Sequence, residues 1–459
     1  MKGFVPTPAP VVDLMVEKLF RGRPPTPSST LLDPGCGKGE FIDGVIRWCS
    51  HYGHCIPRTV GIESHPEHAS AARDRFCEVP QVEIRHADFL TTSSERFDFV
   101  IGNPPYVPIT GLTTSERDAY RKHYAAANRR FDLYLLFFEQ ALRLLRPTGR
   151  LVFITPEKFL YVDTGRAVRA LLGRVGVEEF HFLDEETFGE LVTYPLVSTV
   201  MTSADARPTR VIHRDGRVSL ARLDGVASWL PAIRGAEEGA AGLSLADVCI
   251  RISCGVATGA DSVFVIRDEQ LDQDLRPFAH PTIAGRQIAL GQPLSPRDRM
   301  LVPYGRDGRL LPEGALGRLG VYLSDATRRA RLLARTCAAR KPWYAFHETP
   351  PLAELLRPKL LCKDITETPF FVPDRTGQLV PRHSVYYVVP ADPRSLDHVL
   401  DYLNSPPAQR WLRDHCQRAA KGFLRLQSHV LKRLPVPPGL APLTLTAEPQ
   451  YPLLEPSPT

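Results

Sequence analysis

Residues that could act on an amino group follow one another at positions 102–106, with the sequence GNPPY. Proline fixes φ and has no N–H, so Pro104 and Pro105 form a stiff bend that offers only acceptors: the Asn103 side-chain oxygen and the Pro104 carbonyl. Two acceptors that bond the hydrogens of an exocyclic amine favour its nucleophilic form. Tyr106 could stack on the base that carries this amine. For these residues alone, a structural proline turn is the alternative interpretation.

A second group of residues fits a nucleoside ligand. The sequence TLLD at 30–33 leads into PGCGKGEF at 34–41, where glycines at alternate positions allow a tight turn under a ligand before a helix. This loop matches neither GxxxxGK[ST] nor GxGxxG. Glu63 and Asp88 each follow a strand-like run. Carboxylates at successive strand ends could bind ribose hydroxyls and an adenine amine.

These residues need a framework that brings them together. Runs rich in Val, Ile, Leu and Phe predict strands at residues 30–33, 59–63, 82–85, 97–102 and 150–155. The clearest helix is predicted over 133–145, with a proline and glycine stop, RPTG, at 146–149. Strands alternating with helices predict an α/β fold with a mostly parallel sheet covered on both faces. Ligands then bind at the carboxyl ends of the strands.

Composition excludes several classes of protein. The chain has 459 residues, of which 43% are hydrophobic and 24% charged, ordinary values for a folded protein of two or three domains. No apolar run approaches the roughly 18 residues of a membrane span, and no signal-peptide pattern is found. We therefore expect a protein with no membrane partner. Nine cysteines without a CxxC pair favour the reducing cytoplasm.

Charge is shared unevenly along the chain. Residues 1–206 carry a net charge of −3, so residues 207–459 carry +9 of the total of +6. This asymmetry favours a polyanion partner for the second half, although arginine-rich coding would also produce it. The strand and helix pattern weakens between residues 203 and 243. We predict a catalytic domain over 1–240, a second domain over 241–440 and an extended or disordered tail over 441–459.

The order of the motifs carries a resemblance to a known family. The Gly-rich loop, Glu63, Asp88-Phe89 and NPPY follow one another as in the gamma class of S-adenosylmethionine-dependent amino-methyltransferases that act on DNA, the TaqI type. The resemblance implies a Rossmann-like class I methyltransferase domain and a mixed α+β target-recognition domain. It begins at GFVPTP, residues 3–8, where we expect Thr7 to cap the first helix. In the family this motif helps to bind the methionine part of the cofactor.

The resemblance also implies which residues form the site. S-adenosylmethionine is expected to be bound by Thr7, Asp33, Gly35, Gly37, Glu63, Asp88, Phe89 and Asn103. Catalytic roles are expected for Asn103, Pro104, Pro105, Tyr106 and Phe188. Tyr194 is the alternative to Phe188 as the second aromatic residue at the target base. No metal is expected, because Cys249 and Cys254 have no second pair for zinc and no HExxH occurs.

The likeness continues more loosely into the basic half, where residues 283–288, 357–361 and 402–405 and the segment LKRLP at 431–435 resemble the family's recognition domain. Basic residues with aromatic neighbours follow between 410 and 433. The expected DNA-binding residues are Arg410, Arg418, Lys421, Arg425, Lys432 and Arg433. A solvated helix face is the structural alternative. The similar NSPP at 404–407 reads instead as a helix start with prolines in the first turn.

The sequence therefore predicts a DNA methyltransferase that acts on the N6 amine of a flipped adenine in duplex DNA. Alternatives are an N4-cytosine DNA methyltransferase, a protein glutamine methyltransferase and an inactive DNA-binding subunit. Duplex DNA and, in a restriction-modification system, a cognate restriction endonuclease are the expected partners. We expect a cytoplasmic monomer with no nuclease domain in front of the cofactor motif.

Overall fold

The chain divides into two compact units, Met1–Glu237 and Glu238–Thr459. The structure, a computed structural model, describes residues 5–91, 95–189, 194–202, 207–225, 227–235, 242–419 and 422–440. Within these ranges no helix is long and apolar enough to cross a membrane. The predicted tail over 441–459 lies outside the described residues.

The first unit is built on one sheet. Its strands are β1 (Thr30–Pro34), β2 (Arg58–Glu63), β3 (Val82–His86), β4 (Phe97–Gly102), β5 (Leu145–Pro156), β6 (Val177–Phe182), β7 (Pro195–Met201), β8 (Thr209–Ile212) and β9 (Val218–Ala221). Its helices are α1 (Ala9–Phe20), α2 (Glu40–Tyr52), α3 (Pro66–Arg75), α4 (Thr114–His123), α5 (Leu133–Leu144), α6 (Arg166–Val175) and α7 (Leu230–Arg234).

The strand order in this sheet is β3-β2-β1-β4-β5-β7-β6-β8-β9. The strands β3, β2, β1, β4 and β5 are parallel to one another, whereas β7 is antiparallel to both β5 and β6. The direction of chain progress across the sheet reverses at β1 and β4, the position where α/β sheets bind ligands at the carboxyl ends of the strands. The predicted α/β fold with a mostly parallel sheet is confirmed.

Both faces of the sheet are covered, as the apolar composition of the strands requires. Leu31 of β1 packs into the cluster that contains Val12 and Met15 of α1, whereas its neighbour Leu32 packs into the cluster that contains Leu136 of α5. Side chains alternate between the two faces of a strand, so consecutive leucines reach opposite layers. This double burial holds the ends of the central strands in fixed positions.

Two local predictions are wrong in detail. Helix α5 ends at Leu144, and β5 begins immediately at Leu145, so the predicted stop at 146–149 lies inside the strand. Helix α1 begins at Ala9 with Pro8 as the N-cap, and the Thr7 side chain makes no cap hydrogen bond. The Thr7 hydroxyl instead accepts a hydrogen bond from the Asn103 amide. The Thr7 hydroxyl oxygen therefore makes a tertiary contact instead of a local cap.

The second unit is a mixed α+β structure of short elements. Its strands are β10 (Cys249–Cys254), β11 (Val265–Arg267), β12 (Ala279–Ile283), β13 (Asp298–Leu301), β14 (Lys359–Lys363), β15 (Ile365–Thr366), β16 (Val372–Asp374), β17 (Val380–Pro381), β18 (Val385–Pro390), β19 (Gln417–Arg418) and β20 (Leu424–Arg425). Its helices are α8 (Asp261–Phe264), α9 (Gly317–Leu323), α10 (Ala326–Leu333), α11 (Leu352–Leu355), α12 (Leu396–Leu403), α13 (Pro406–His415) and α14 (Ser428–Lys432).

The strands of this unit form three small sheets with the orders β10-β18-β14-β16, β11-β13-β12-β17 and β15-β20-β19. Most neighbours are antiparallel, and β12 with β17 is a parallel pair. Helix α13 has Ser405 as its N-cap and prolines in its first turn, as predicted for the NSPP segment.

Candidate active site

A cavity of the first unit opens at the carboxyl ends of β1, β2 and β4. It is lined by Val5, Pro6, Thr7, Gly35, Glu40, Phe41, Glu63, Ser64, His65, His68, Asn103, Pro105 and Phe137. Residues more than 90 positions apart in the sequence therefore meet around one space. The structure brings together Thr7, Gly35, Glu63 and Asn103 from the predicted cofactor set.

The Gly-rich loop owes its shape to backbone that other residues rarely adopt. Gly35, Gly37 and Gly39 have φ values of 76°, 58° and 89°. A Cβ at Gly39 would lie 2.3 Å from the Phe76 ring, and one at Gly35 would contact Phe137 at 3.6 Å. Glycine is thus required both for the left-handed turns and for the close approach of neighbours. The loop leads into α2 at Glu40.

Glu63 at the end of β2 faces this loop. Its carboxylate accepts hydrogen bonds from the Gly37 N–H at 2.9 Å and the His65 N–H at 2.7 Å, and the residue is only 8% exposed. The backbone N–H groups of Gly35 and Cys36 in turn donate to the Ile62 carbonyl. These bonds fix the position of an acidic group on the cavity wall.

Asp33 lies behind the loop, and it does not line the cavity. The side chain is fully buried, and neither carboxylate oxygen has a hydrogen-bond partner among the described residues. Burial raises the pKa of the Asp33 carboxyl well above its ordinary value, and the nearby Glu40 and Glu63 carboxylates raise it further. A cationic ligand bound nearby would stabilise the ionised form of this buried carboxyl.

Asp88 and Phe89 follow β3 but do not line the cavity either. Asp88 accepts hydrogen bonds from the Leu90 N–H at 2.9 Å and from the Tyr120 hydroxyl at 3.1 Å. Phe89 is buried against Phe137, with ring centroids 5.0 Å apart. Both residues therefore support the wall of the cavity from the side of α4 and α5.

Asn103 follows β4 and is held by the N-terminal segment. Its amide nitrogen donates to the Val5 carbonyl and to the Thr7 hydroxyl, each at 3.1 Å. A carbonyl can only accept, so the nitrogen must face residue 5 and the side-chain oxygen is left to accept from a ligand. The fixed amide is thus an acceptor aimed by two contacts that are almost a hundred residues away in sequence.

Tyr106 extends the same bend. Its hydroxyl is buried without a hydrogen-bond partner among the described residues, and burial raises its pKa. Its ring lies 6.3 Å from that of Tyr134 in an edge-to-face arrangement. Packing against Tyr134 fixes the orientation of the Tyr106 ring. A ring with a fixed orientation can stack on a planar ligand.

The two candidates for a second aromatic residue have different surroundings. Phe188 ends the short helix Glu185–Phe188 and packs against the cluster of α1 and β4. The Tyr194 ring lies 5.4 Å from the Arg214 guanidinium, and its carbonyl accepts from the Glu157 N–H. The choice between them stays a prediction, and residues 190–193 lie outside the described ranges.

Several cavity residues were missed from the sequence. Phe137 belongs to an apolar run that reads as core, and His65 and His68 follow the β2 carboxylate without a motif of their own. Their rings pack with centroids 4.8 Å apart. The position of the histidines directly after a strand-end acid was the one available signal.

The predicted DNA-binding residues lie in the second unit. Arg410, Arg418, Arg425, Lys432 and Arg433 are all exposed. None of them forms an ion pair with a carboxylate in the part of the chain that the structure describes. Lys421, the sixth predicted residue, lies outside the described residues. The five side chains are available to an anionic partner.

The fold and the cavity define a class. A mostly parallel sheet with this strand order, a glycine-rich loop after β1, an acid at the end of β2 and an acceptor bend after β4 describe a class I S-adenosylmethionine-dependent methyltransferase. The donor set fits this cofactor, because buried carboxylates suit its cationic groups and glycines leave room for its body. The described residues contain no group of three or more His, Cys, Asp or Glu that could hold a metal ion.

Comparison with known proteins gives the particular family. Residues 49–188 match the Eco57I restriction-modification methylase family, and residues 326–436 match the TaqI-like C-terminal specificity domain. The type II methyltransferase M.PaeR7I of Pseudomonas aeruginosa is 28% identical over 95% of this chain and 86% of its own length. M.BstVI of Geobacillus stearothermophilus is 25% identical over 95% and 90%.

The chain is therefore a TaqI-type, gamma-class methyltransferase of the restriction-modification kind, and the resemblance found in the sequence is confirmed. It is an enzyme that methylates DNA, with S-adenosylmethionine as its cofactor. The second unit contains its DNA specificity region.

Solved structures agree on the fold. A DrdV–DNA complex determined by cryo-electron microscopy aligns with a TM-score of 0.54 at 14% identity, over 95% of this chain and 56% of that one. The type ISP restriction-modification enzyme LlaBIII bound to DNA aligns with a TM-score of 0.50 at 13% identity, over 84% of this chain and 33% of that one.

Proposed function

We propose that the enzyme transfers a methyl group to the N6 amine of an adenine flipped out of duplex DNA. The supporting observation is the fixed amide of Asn103, whose nitrogen is occupied by Val5 and Thr7 so that its oxygen can accept from a substrate amine. The Pro104 carbonyl is the second acceptor of the same bend. The NPPY form of the bend favours adenine.

In the proposed site the cofactor lies along the loop of Gly35 and Gly37, with Glu63 on its ribose hydroxyls and Asp88 and Phe89 on the side of its adenine. S-adenosylmethionine, when bound, supplies an electrophilic methyl group on a sulfonium. Thr7 and Asp33 then support the cationic end, since Thr7 lines the cavity and Asp33 is a buried acid behind the loop.

The protein's own contribution to the chemistry is positioning. Asn103 and Pro104 accept the two hydrogens of the amine, which directs its lone pair at the methyl group. The Tyr106 ring stacks on the base, with Phe188 or Tyr194 as the second aromatic contact. The amine loses a proton only after it attacks, so fixed geometry supplies much of the rate.

The second candidate is the N4 amine of cytosine, because this amine also sits on a carbon that is double-bonded to a ring nitrogen. The bend binds an amino group and does not by itself select the ring. Digestion of methylated DNA to nucleosides, followed by mass spectrometry, separates N6-methyladenine from N4-methylcytosine. Recovery of methyl label only on cytosine would overturn the adenine proposal.

A protein substrate is a third candidate. Over 38% of this chain, the release factor glutamine methyltransferase of Caulobacter vibrioides is 25% identical. The net charge of +9 over residues 207–459 and the TaqI-like specificity domain favour DNA instead. Single-molecule sequencing of DNA from cells that express the protein would reveal the modified base and its recognition sequence together. Unmodified DNA would favour an inactive DNA-binding subunit.

We further propose that the catalytic domain spans 1–240 and the target-recognition domain 241–440, and that a cytoplasmic monomer modifies sites which a cognate endonuclease would cut. Sedimentation of the protein with and without a duplex tests the monomer. An endonuclease that cleaves only DNA lacking this modification would support the pairing.

A further inference from the structure

A polar depression in the first unit has no role in the chemistry above. It is bordered by Ala125, Asn128, Arg129, Asp163, Thr164 and Arg166. Two guanidinium groups, an amide and a hydroxyl thus face one space, which is the donor set that proteins use for phosphate oxygens. Arg129 and Arg166 are exposed, and Asp163 is the one acid on the border of this depression.

The loop that carries Arg129 is held at its start. The Glu139 carboxylate of α5 accepts the N–H groups of Ala125 at 3.1 Å and Ala126 at 2.8 Å. It also pairs with Arg143 one turn further along the helix. Arg129 itself has a φ of 53°, a left-handed conformation that residues other than glycine seldom adopt. The contacts of Glu139 thus hold the backbone of the loop just before Arg129.

The end of the same loop is tied to the catalytic bend. The Ile109 N–H donates to the Phe131 carbonyl at 3.0 Å, and the Leu133 N–H donates to the Val107 carbonyl at 2.9 Å. Val107 directly follows Tyr106. Asp132 forms an isolated antiparallel β-bridge with Pro108. Because Asp132 is three residues after Arg129, the Cα atoms of these two residues lie within about 11 Å of each other. The loop that lines the depression is therefore tied at its end to the segment that follows Tyr106.

The cations near this depression contrast with the net charge of the sequence around them. The first 206 residues carry a net charge of −3, yet a flipped nucleotide must bring its two flanking phosphates to this unit. A further cation, Lys158, is exposed just beyond the carboxyl end of β5, the neighbour of β4. Its charge acts on Asp132. Cations thus collect locally on a unit that is otherwise acidic.

We propose that Arg129 and Arg166, with Asn128 and Thr164, bind a phosphate of the DNA strand that carries the target base. This inference rests on the proposed function. It assigns a DNA-backbone site to the catalytic unit itself, distinct from the basic residues at 410–433. The phosphate contact would hold the extruded nucleotide while Asn103 and Tyr106 engage its base.

The test is a thermodynamic cycle with a duplex whose recognition sequence is first found by sequencing. The duplex carries a neutral methylphosphonate in place of one phosphate flanking the target, 5′ or 3′ in separate preparations. Affinities are measured by fluorescence anisotropy for the wild type and for R129Q/R166Q. At one of the two positions we expect the wild type to lose about tenfold or more in affinity and the variant to lose nothing further. The variant's slope of log affinity against log salt should fall by about 0.9, as expected for one lost phosphate contact.

The matched control is R58Q/R174Q. Arg58 begins β2 and Arg174 lies at the end of α6, shortly before β6, so both are exposed near the amino ends of strands. This control removes the same charge, and its slope and its methylphosphonate effects should equal those of the wild type. The inference would be overturned if, at both positions, methylphosphonate reduced the affinity of R129Q/R166Q as much as that of the wild type. An equal fall in the salt slope of the control would also overturn it.

A variant that is expected to bind DNA more tightly controls for loss of binding through misfolding. Asp163 lies 3.9 Å from Arg129 and is 85% exposed. D163N removes the acid at the depression and should raise DNA affinity severalfold, which a misfolded variant cannot do. Unchanged affinity in D163N would count against the site. A wild-type protein that fails to methylate any duplex would instead overturn the proposed function.

Discussion

The two units of this enzyme place their functional side chains in opposite ways. Around the cavity of the first unit, Asn103 and Glu63 are each held by at least two hydrogen bonds. In the second unit, Arg418 and Arg425 are exposed, and neither forms an ion pair with a carboxylate among the described residues. Methyl transfer depends on the position of single atoms, whereas attraction to phosphates is long-range and tolerates motion. One substitution should stop the first process, and only several together should weaken the second.

The largest effect is expected at the catalytic bend. Asn103→Ala removes the aimed acceptor and should lower methyl transfer by about 10³-fold or more. Cofactor affinity should change only a few-fold, since Glu63 and the glycine loop remain. A tritium transfer assay and calorimetry with S-adenosylmethionine measure the two quantities.

The control for this variant is Asn404→Ala in the similar NSPP segment. Asn404 bonds the backbone of Phe371 on both sides, at 2.9 and 3.0 Å, so its loss should reduce stability. Transfer at saturating DNA should persist in the folded protein. Near wild-type turnover in Asn103→Ala would remove Asn103 from the mechanism.

The next effect concerns the basic residues of the second unit. Replacing Arg418, Arg425, Lys432 and Arg433 by glutamine should weaken binding to all duplexes, with the salt slope falling by roughly 0.9 per lost phosphate contact. The measurement is anisotropy over a range of sodium chloride concentrations.

The same unit offers a control of equal charge. Four of its exposed basic residues that pair with a carboxylate are Arg309, Arg318, Arg375 and Arg394. Their replacement by glutamine should leave the slope nearly unchanged. Equal falls in the two quadruple variants would mean that net charge alone matters and that the 410–433 stretch is no contact surface.

A smaller effect is expected from the stacking residue. Tyr106→Ala should reduce methyl transfer by the equivalent of about 1–3 kcal/mol, while Tyr106→Phe should keep most activity, because the hydroxyl is buried without a partner. The fluorescence of 2-aminopurine at the target position reports the flipped base in each complex. If Phe were as harmful as Ala, the hydroxyl would have a role that stacking does not explain.

The smallest effect is on stability and comes from Asp33. Burial raises its pKa in the folded protein, so its contribution to stability is present at low pH and is lost as pH rises above the ordinary Asp value of about 3.9. Asp33→Asn should therefore raise the free energy of unfolding at pH 7. Urea unfolding from pH 3 to 7 without cofactor checks this, and a variant less stable than the wild type at pH 7 would contradict it.

The sequence was most informative where local chemistry and chain order coincide. The apolar runs around Leu31 and Phe99 are typical of buried parallel strands, because a strand covered by helices on both faces buries all of its side chains. Gly39 marks a turn that other residues cannot make. The order of loop, acids and NPPY was enough to indicate both the family and the cofactor, since each motif directly follows a strand.

The tertiary structure decided what each of these residues contacts. Thr7 has the sequence of a helix cap, yet its hydroxyl accepts from Asn103, because β4 brings that amide beside the N-terminal segment. Phe137 belongs to an apolar run typical of a core, but it lines the cavity, since its ring lies beside Gly35 in the loop after β1. The depression at Arg129 depends on Glu139, whose hydrogen bonds to a distant loop leave no trace in sequence spacing. Local motifs specify which groups are present, and only packing determines which groups share a space.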